Sequence, residues 1–329
     1  MAPGGTIGQV QKLAGERRFA EAAALLIRAA AAGDRAAQAA LAHWRIAGNI
    51  VRRDLSEARR LLGLAGSAGD AESALLHAYF LAAGTGGSDS WQEALAALTA
   101  LAKRHPQAAA QLRLLRAMDL GPDGFPLRPI ERRKLAEAPE TAAAEGLLSD
   151  AECAYLTNAG EPALQPAVVV DPATGRMIPH PVRTSDGMQF GVYAEDLVVN
   201  AINRRIAAFS GTALDQGEPL QLLRYRPGGE YKPHMDALPA EPNQRILTVL
   251  VYLSGGYEGG ETCFPRTGLT FRGKPGDALL FRNAGADGRA DPLSLHAGMP
   301  VTRGTKYIAT RWIRAGTFTY PPPPPLLNL

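Results

Sequence analysis

The stretch YKPHMDALP, Tyr231–Pro239, places a histidine and an aspartate one residue apart, at His234 and Asp236. In a strand, residues two apart point to the same face, so this pair sets an imidazole beside a carboxylate. A later stretch, LHAGMPVTRGTKY (Leu295–Tyr307), carries an isolated His296, with Lys306 ten positions after it. The surroundings are β-like. From Gln221 onward come LQLLRYRPG, RILTVLVYLSG, GETCFP, LTFRGKPGDALLFRN, PLSLHAG and GTKYIATRWI. These are short β-rich runs separated by Gly, Pro and Asp turns, the texture of a barrel or a two-sheet jelly roll.

A third ligand from a distant strand closes a triangle with His234 and Asp236. Two imidazoles and a carboxylate leave about three octahedral positions open, the donor set of non-haem Fe(II) oxygenase sites. Zinc would draw a closed or histidine-rich set, and no cysteine stands near in sequence. Lys306 shares a strand face with Ile308, Thr310 and Trp312 in GTKYIATRWI. An ammonium held there is a partner for an anionic co-substrate.

The amino-terminal third has a different texture. GDRAAQAALAHW starts at Gly33 and GDAESALLHAYF at Gly69, an offset of 36. At that offset Ala42 matches Ala78, Gly48 matches Gly84, Glu57 matches Glu93 and Leu62 matches Leu98. A fixed period of this length marks a solenoid of helix pairs. Gly-Asp supplies the break and the cap for each new helix. The helical period stops in MDLGPDGFPLRPIERRKL (Met118–Leu135), and GLLSDAECAYL then reads as a helix capped by Ser149, with Glu152 three residues on. Leu197, Ala201, Ile202 and Ile206 form the apolar stripe of another helix.

The chain of 329 residues is nearly charge-balanced, with 35 basic and 32 acidic residues. It carries no Lys/Arg run of the kind that binds phosphate backbones, so nucleic acid is not expected as a partner. Cys153 and Cys263 are far apart, which argues against a disulfide framework and for a reducing, cytoplasmic setting. AEAAALLIRAAAAG is too short and too interrupted to span a bilayer, so no membrane association is expected.

Taken together, LLRYRPGGEYKPHMDAL, RILTVLVYLSGGYEGGETCFP, FRGKPGDALLFRN and LHAGMPVTRGTKYIATRWIR closely resemble the prolyl 4-hydroxylase group of 2-oxoglutarate/Fe(II) dioxygenases. The resemblance runs over roughly residues 140–315. The repeats resemble Sel1-like repeats, relatives of tetratricopeptide repeats. The expected fold class is therefore α+β multidomain: an α-solenoid followed by a double-stranded β-helix (jelly roll) with flanking helices. The expected domains are 1–118 (repeats), 119–139 (linker), 140–318 (jelly roll) and 319–329 (proline-rich tail).

The resemblance implies iron on His234, Asp236 and His296. It implies 2-oxoglutarate on Lys306 with help from Tyr225 and Thr248. It also implies a substrate site that includes Arg183 and Ser185, in the mobile segment PVRTSDGMQF, together with Tyr231 and Trp312. The co-substrates would be 2-oxoglutarate and O2, with L-ascorbate as a reductant. The expected substrate is a prolyl residue of a peptide or protein docked on the repeats. The alternatives are the same chemistry on a free amino acid, another peptide residue or a small metabolite, and a repeat-based interaction scaffold with an inactive jelly roll.

Overall fold

A computed structural model describes residues 5–170, 177–179 and 182–321. The chain forms two compact units. One comprises 1–118 with 195–200 and 319–329, the other 119–194 with 201–318.

The first unit is built from consecutive helices, each in contact with the next. They are α1 (Thr6–Gly15), α2 (Phe19–Ala31), α3 (Arg35–Ala47), α4 (Leu55–Ser67), α5 (Ala71–Ala83), α6 (Trp91–Leu101) and α7 (Pro106–Ala117). The 36-residue period is visible in the caps. Asp34 accepts a hydrogen bond from Ala37 N at the start of α3, and Asp70 accepts one from Ser73 N at the start of α5. Such a cap contributes about 1 kcal/mol. Gly48 and Gly84 end the same two helices in the left-handed conformation, at φ 72° and 67°. Alanines 22, 42, 58, 78 and 94 are fully buried. A Cβ on Gly66 would lie 2.8 Å from the Ala74 backbone, so α4 and α5 can approach this closely only with glycine there. His105 caps α7, its side chain accepting from Ala108 N. In the same unit Arg53 Nη1 donates to Pro321 O at 3.0 Å. The rest of the proline-rich tail, 322–329, lies outside the described residues.

The second unit is a two-sheet β structure with helices. Its strands are β1 (Arg133–Glu137), β2 (Glu140–Ala144), β3 (Gln165–Pro166), β4 (Val168–Val170), β5 (Met177–Pro179), β6 (Asp186–Gln189), β7 (Gln221–Tyr225) and β8 (Tyr231–His234). They continue with β9 (Arg245–Tyr252), β10 (Glu258–Gly259), β11 (Thr262–Phe264), β12 (Leu269–Phe271), β13 (Ala278–Arg282), β14 (His296–Gly298), β15 (Val301–Arg303) and β16 (Lys306–Arg314). Among the described residues the larger sheet has eight strands in the order β1-β2-β13-β9-β16-β7-β6-β3. The smaller has four, β12-β11-β14-β8, and two further pairs, β10-β15 and β4-β5, stand apart. Strands far apart in sequence pair antiparallel, which is the jelly-roll architecture. Leu223, Tyr225, Tyr252, Phe264, Leu279, Phe281 and Ile308 belong to the core of this unit.

Helix α8 (Asp150–Gly160) starts with the expected capping box of Ser149 and Glu152. Helix α9 (Leu197–Ser210) buries Leu197, Ala201, Ile202 and Ile206 completely. No helix among the described residues is long and apolar enough to cross a membrane.

One sequence expectation is corrected. The stretch 119–139 is not a connector throughout, because 133–137 form the outermost strand of the large sheet, paired with β2. Its residues, RKLAE, are mostly exposed, so no buried face marks the strand in the sequence.

Candidate active site

His234 ends β8 and His296 starts β14. The two strands pair so that the histidines are register partners. Pairing thus brings together residues sixty-two positions apart. Asp236 lies two residues beyond the end of β8 rather than within the strand. Its carboxylate still turns back to both rings: His234 Nε2 stands 3.6 Å from Oδ1 and His296 Nε2 stands 3.7 Å from Oδ2. The three ligand atoms lie within 4.8 Å of one another, and the residues are buried or nearly so.

Each ring is held through its other nitrogen. His234 Nδ1 lies 2.9 Å from Lys232 O, and His296 Nδ1 lies 3.0 Å from Ser294 O. A carbonyl can only accept, so both Nδ1 atoms carry the proton and both Nε2 atoms keep a lone pair facing Asp236. Tyr231 stacks on His234 at 3.4 Å between centroids, and Phe281 packs against His296 at 4.6 Å. Burial, reinforced by the neighbouring His296, pushes the His234 imidazole down to about 4 and keeps it neutral. Burial alone would raise the Asp236 carboxyl, but His296, His234 and the Thr248 hydroxyl outweigh it and hold the group below its usual value. Two imidazoles and one carboxylate, with no fourth protein ligand among the described residues, fit a metal that keeps open positions.

These ligands line a cleft of about 40 Å³ together with Leu223, Tyr225, Leu250, Thr262, Ile308 and Lys306. Strand β16 contributes Lys306, Ile308, Thr310 and Trp312 from one face, as its alternation requires. Their register partners on neighbouring strands are Tyr225, Leu223, Leu250 and Thr248. Lys306 is 3 % exposed, and its Nζ donates to Gly260 O at 2.7 Å. The ammonium lies 5.6 Å from the Tyr225 ring and 5.3 Å from the Tyr252 ring. Burial pushes it down to about 8, with Glu261 opposing that shift. A backbone carbonyl and two ring faces do not neutralise a charge, so the site suits an arriving anion. The Thr310 hydroxyl, buried in the same cleft, makes no hydrogen bond among the described residues. Gly260 (φ 71°) makes room here: a Cβ on it would press on Lys306 Cδ at 3.2 Å.

The remaining expected site residues divide. Tyr225 lines the cleft, its phenol pushed up by burial. Trp312 lines it beside Asp236, its ring covered by the Arg245 guanidinium at 3.6 Å. Arg245 is in turn held by Glu218 at 2.6 and 2.9 Å. Arg183 lines the cleft with its guanidinium 5.5 Å from the Tyr231 ring. Ser185 is buried, but it lines a neighbouring cavity rather than this one. Pro181, the first residue of the expected mobile segment, lies outside the described residues.

Thr248, expected to assist 2-oxoglutarate binding, has its hydroxyl engaged within the protein: it donates to Asp236 Oδ2 at 2.6 Å and accepts from Asn283 Nδ2 at 2.8 Å. Both residues are fully buried. Thr248 and Asn283 therefore form a chain that fixes the carboxylate. Sequence reading missed Asn283, since nothing local distinguishes the asparagine in LLFRN. It also missed Thr262, which lines the cleft and shares a 2.7 Å hydrogen bond with the Tyr252 hydroxyl. Thr248→Val should keep the fold and lower metal affinity about 10- to 100-fold, the usual loss when a ligand's supporting hydrogen bond is removed. Metal titration of the purified variant checks this, and unchanged affinity would show that Asp236 needs no such support.

This chain is similar to several known proteins. The family model described as 2OG-Fe(II) oxygenase superfamily matches residues 220–314. Prolyl 4-hydroxylase 1 of Arabidopsis thaliana is 39% identical over 197 residues, covering 54% of this chain and 69% of the relative. Prolyl 4-hydroxylase 5 of the same plant is 37% identical over 204 residues, covering 55% and 70%. Among solved structures, the viral collagen prolyl hydroxylase of Paramecium Bursaria Chlorella virus-1 in its 2OG complex is 31% identical. That match covers 54% of this chain and 96% of the viral one at a TM-score of 0.44. With His234, Asp236, His296 and Lys306 standing in the matched region, the chain belongs to the prolyl 4-hydroxylase family of 2-oxoglutarate/Fe(II) oxygenases.

Proposed function

We propose that this protein hydroxylates prolyl residues of a peptide or protein, consuming 2-oxoglutarate and O2. The observation that carries the reading is the meeting of the His-Asp-His triad and the buried Lys306 in one cleft. Fe(II) bound with 2-oxoglutarate supplies the oxidising chemistry that turns an unactivated C–H into C–OH, one oxygen atom going to the product and one to succinate.

Every other part of the work falls to the chain. His234 Nε2, His296 Nε2 and the Asp236 carboxylate would hold the iron. Their geometry is set in advance by the Lys232 and Ser294 carbonyls and by Thr248. Lys306 would hold the far carboxylate of 2-oxoglutarate, with the Thr310 hydroxyl, which has no partner among the described residues, in the same cleft as a further donor. Leu223, Leu250 and Ile308 keep that cleft apolar, which excludes water and strengthens the lysine–carboxylate attraction. Tyr231, Trp312 and Arg183 flank the ligands with ring faces and a guanidinium, surfaces suited to a proline ring and a peptide backbone.

Ascorbate would serve as the reductant that restores Fe(II) after unproductive turnover. The two unpaired cysteines, Cys153 and Cys263, suit a reducing cytoplasmic compartment. The helical unit would add a docking surface for longer substrates.

Proline-containing peptides of increasing length, incubated with Fe(II), ascorbate and 2-oxoglutarate, test the proposal by mass spectrometry. The expected product carries one extra oxygen on proline. A photo-reactive group at the far end of a long peptide should cross-link within residues 19–117. Oxygen on a different residue type would replace the prolyl assignment, and cross-links confined to 201–318 would remove the docking role.

A further inference from the structure

Each histidine of the site is steered by the backbone carbonyl two residues before it, but the two carbonyls are held differently. Lys232 O, which steers His234, belongs to strand β8, where Lys232 N is tied to Val182 O at 2.8 Å. Ser294 O, which steers His296, belongs to no strand. It closes a single 3-10 turn, Pro292–Ser294, just before β14. So short a turn has no ladder to hold its carbonyls, and other groups must fix this one.

Asp291 supplies them. Its Oδ1 accepts from Leu293 N at 2.9 Å and so caps the turn. Its backbone carbonyl accepts twice from Ser294, from the amide at 2.9 Å and from the hydroxyl at 2.7 Å. Ser294 is completely buried, so its hydroxyl must find a partner inside the protein, and Asp291 O is that partner. On the far side Arg266 Nη1 donates to Pro292 O at 2.9 Å. With its amide and hydroxyl both pinned, Ser294 aims its carbonyl at His296 Nδ1, 3.0 Å away.

The turn is also joined to the other side of the site. Asp291 N donates to Asn283 O at 2.8 Å, and Asn283 N donates to Ile246 O at 2.8 Å. The side chain of the same asparagine donates to Thr248, which donates to Asp236. One buried residue therefore carries the supports of two ligands, His296 through its backbone and Asp236 through its side chain. His234 stands outside this chain, with its own support in β8.

We infer that Asp291 is a positioning residue for the metal site: its capped turn fixes the tautomer and ring direction of His296 and, through Asn283, ties that ring to the Asp236 carboxylate. Asp291 itself touches neither metal nor substrate. The role rests on the iron-site reading above and names what orients one of its ligands. A loosened turn lets the Ser294 carbonyl swing away from Nδ1. The imidazole is then free to rotate, or to move its proton to Nε2, the atom the metal needs. Negative charge is not required for this work. An amide oxygen caps as well as a carboxylate oxygen does, so Asp291→Asn keeps the arrangement and Asp291→Ala loses it.

The test titrates metal-free, full-length protein with Co(II), whose visible absorption gives the affinity and whose paramagnetism shifts the proton NMR signals of its ligands. The wild type should show two exchangeable, strongly shifted imidazole N–H signals. The His234 signal is recognised by its proximity to the Tyr231 ring, which stacks on it at 3.4 Å. In Asp291→Ala the His296 signal should broaden by exchange with water while the His234 signal stays, and Co(II) affinity should fall about tenfold. Asp291→Asn should restore the signal and the affinity. Circular dichroism establishes that each variant is folded at the titration temperature. Where Asp291→Ala does not fold, Ser294→Ala, which removes only the hydroxyl bond to Asp291 O, should broaden the same signal. Two unchanged signals in these alanine variants, equal broadening of both histidines, or an Asp291→Asn protein that behaves like Asp291→Ala would each overturn the positioning role and leave the metal site standing. A wild type that binds no Co(II), or shows no shifted imidazole N–H, would instead overturn the metal-site reading itself.

Discussion

His296→Ala, His234→Ala and Asp236→Ala each bring 2-oxoglutarate turnover to background and reduce bound Fe(II) from one per chain to a small fraction of that. Three protein ligands hold the metal, so losing one leaves iron dependent on water for most of its shell. The three variants should differ in a way that the structure explains. In Asp236→Ala the Thr248 hydroxyl loses its acceptor at 2.6 Å, and a buried donor is stranded. That variant should unfold at the lowest temperature of the three. His234 is less buried and is braced by Tyr231 on one face, so its removal should cost the fold least. Iron quantification and a thermal scan on the same preparations check both parts. Full activity in Asp236→Ala would remove the metal assignment.

Lys306→Ala should weaken 2-oxoglutarate binding about 10- to 150-fold while leaving iron bound, as a charge-assisted contact contributes about 1.5–3 kcal/mol. The same lysine gives the wild-type protein a pH signature. Before 2-oxoglutarate arrives, burial holds its ammonium at about 8. Below that pH the lysine is already charged and affinity is flat. Above it the lysine is neutral and must take up a proton on binding, so affinity falls about tenfold per pH unit until the value in the complex is reached. Isothermal titration between neutral and alkaline pH shows the slope together with proton uptake. Lys306→Ala should lose both. A wild-type profile flat through pH about 8 would mean that Lys306 does not meet the co-substrate's carboxylate.

What could be read from the sequence was local or periodic. The Gly-Asp pairs at 33–34 and 69–70 marked helix ends because capping needs particular residues at particular positions, and both aspartates cap as expected. Ser149 and Glu152 identified α8 for the same reason. The face shared by Lys306, Ile308, Thr310 and Trp312 follows from strand alternation alone, and all four line the cleft. Asp236 reached the site by a different route: it lies past the end of β8, where a bend turns the carboxylate back to the rings.

The parts that stayed hidden depend on contacts across the fold. The resemblance implied Thr248 as a co-substrate contact, but only the fold shows its hydroxyl bonded to Asp236 and Asn283. β1 escaped notice because an exposed edge strand buries no face and so leaves no alternation. The place of Asp291 was equally hidden, as its turn meets His296 through Ser294 O and reaches Asp236 through Asn283 and Thr248.

The central claim is that oxygen chemistry at the His234–Asp236–His296 site is coupled to a prolyl residue of a peptide. The most direct measurement uses heavy-isotope dioxygen in a reaction of full-length protein, Fe(II), 2-oxoglutarate and a proline-rich peptide. The account predicts one heavy atom on a prolyl ring and one in succinate, in equal amounts, with neither in His296→Ala. Labelled succinate formed in full while the peptide stays unlabelled would contradict it.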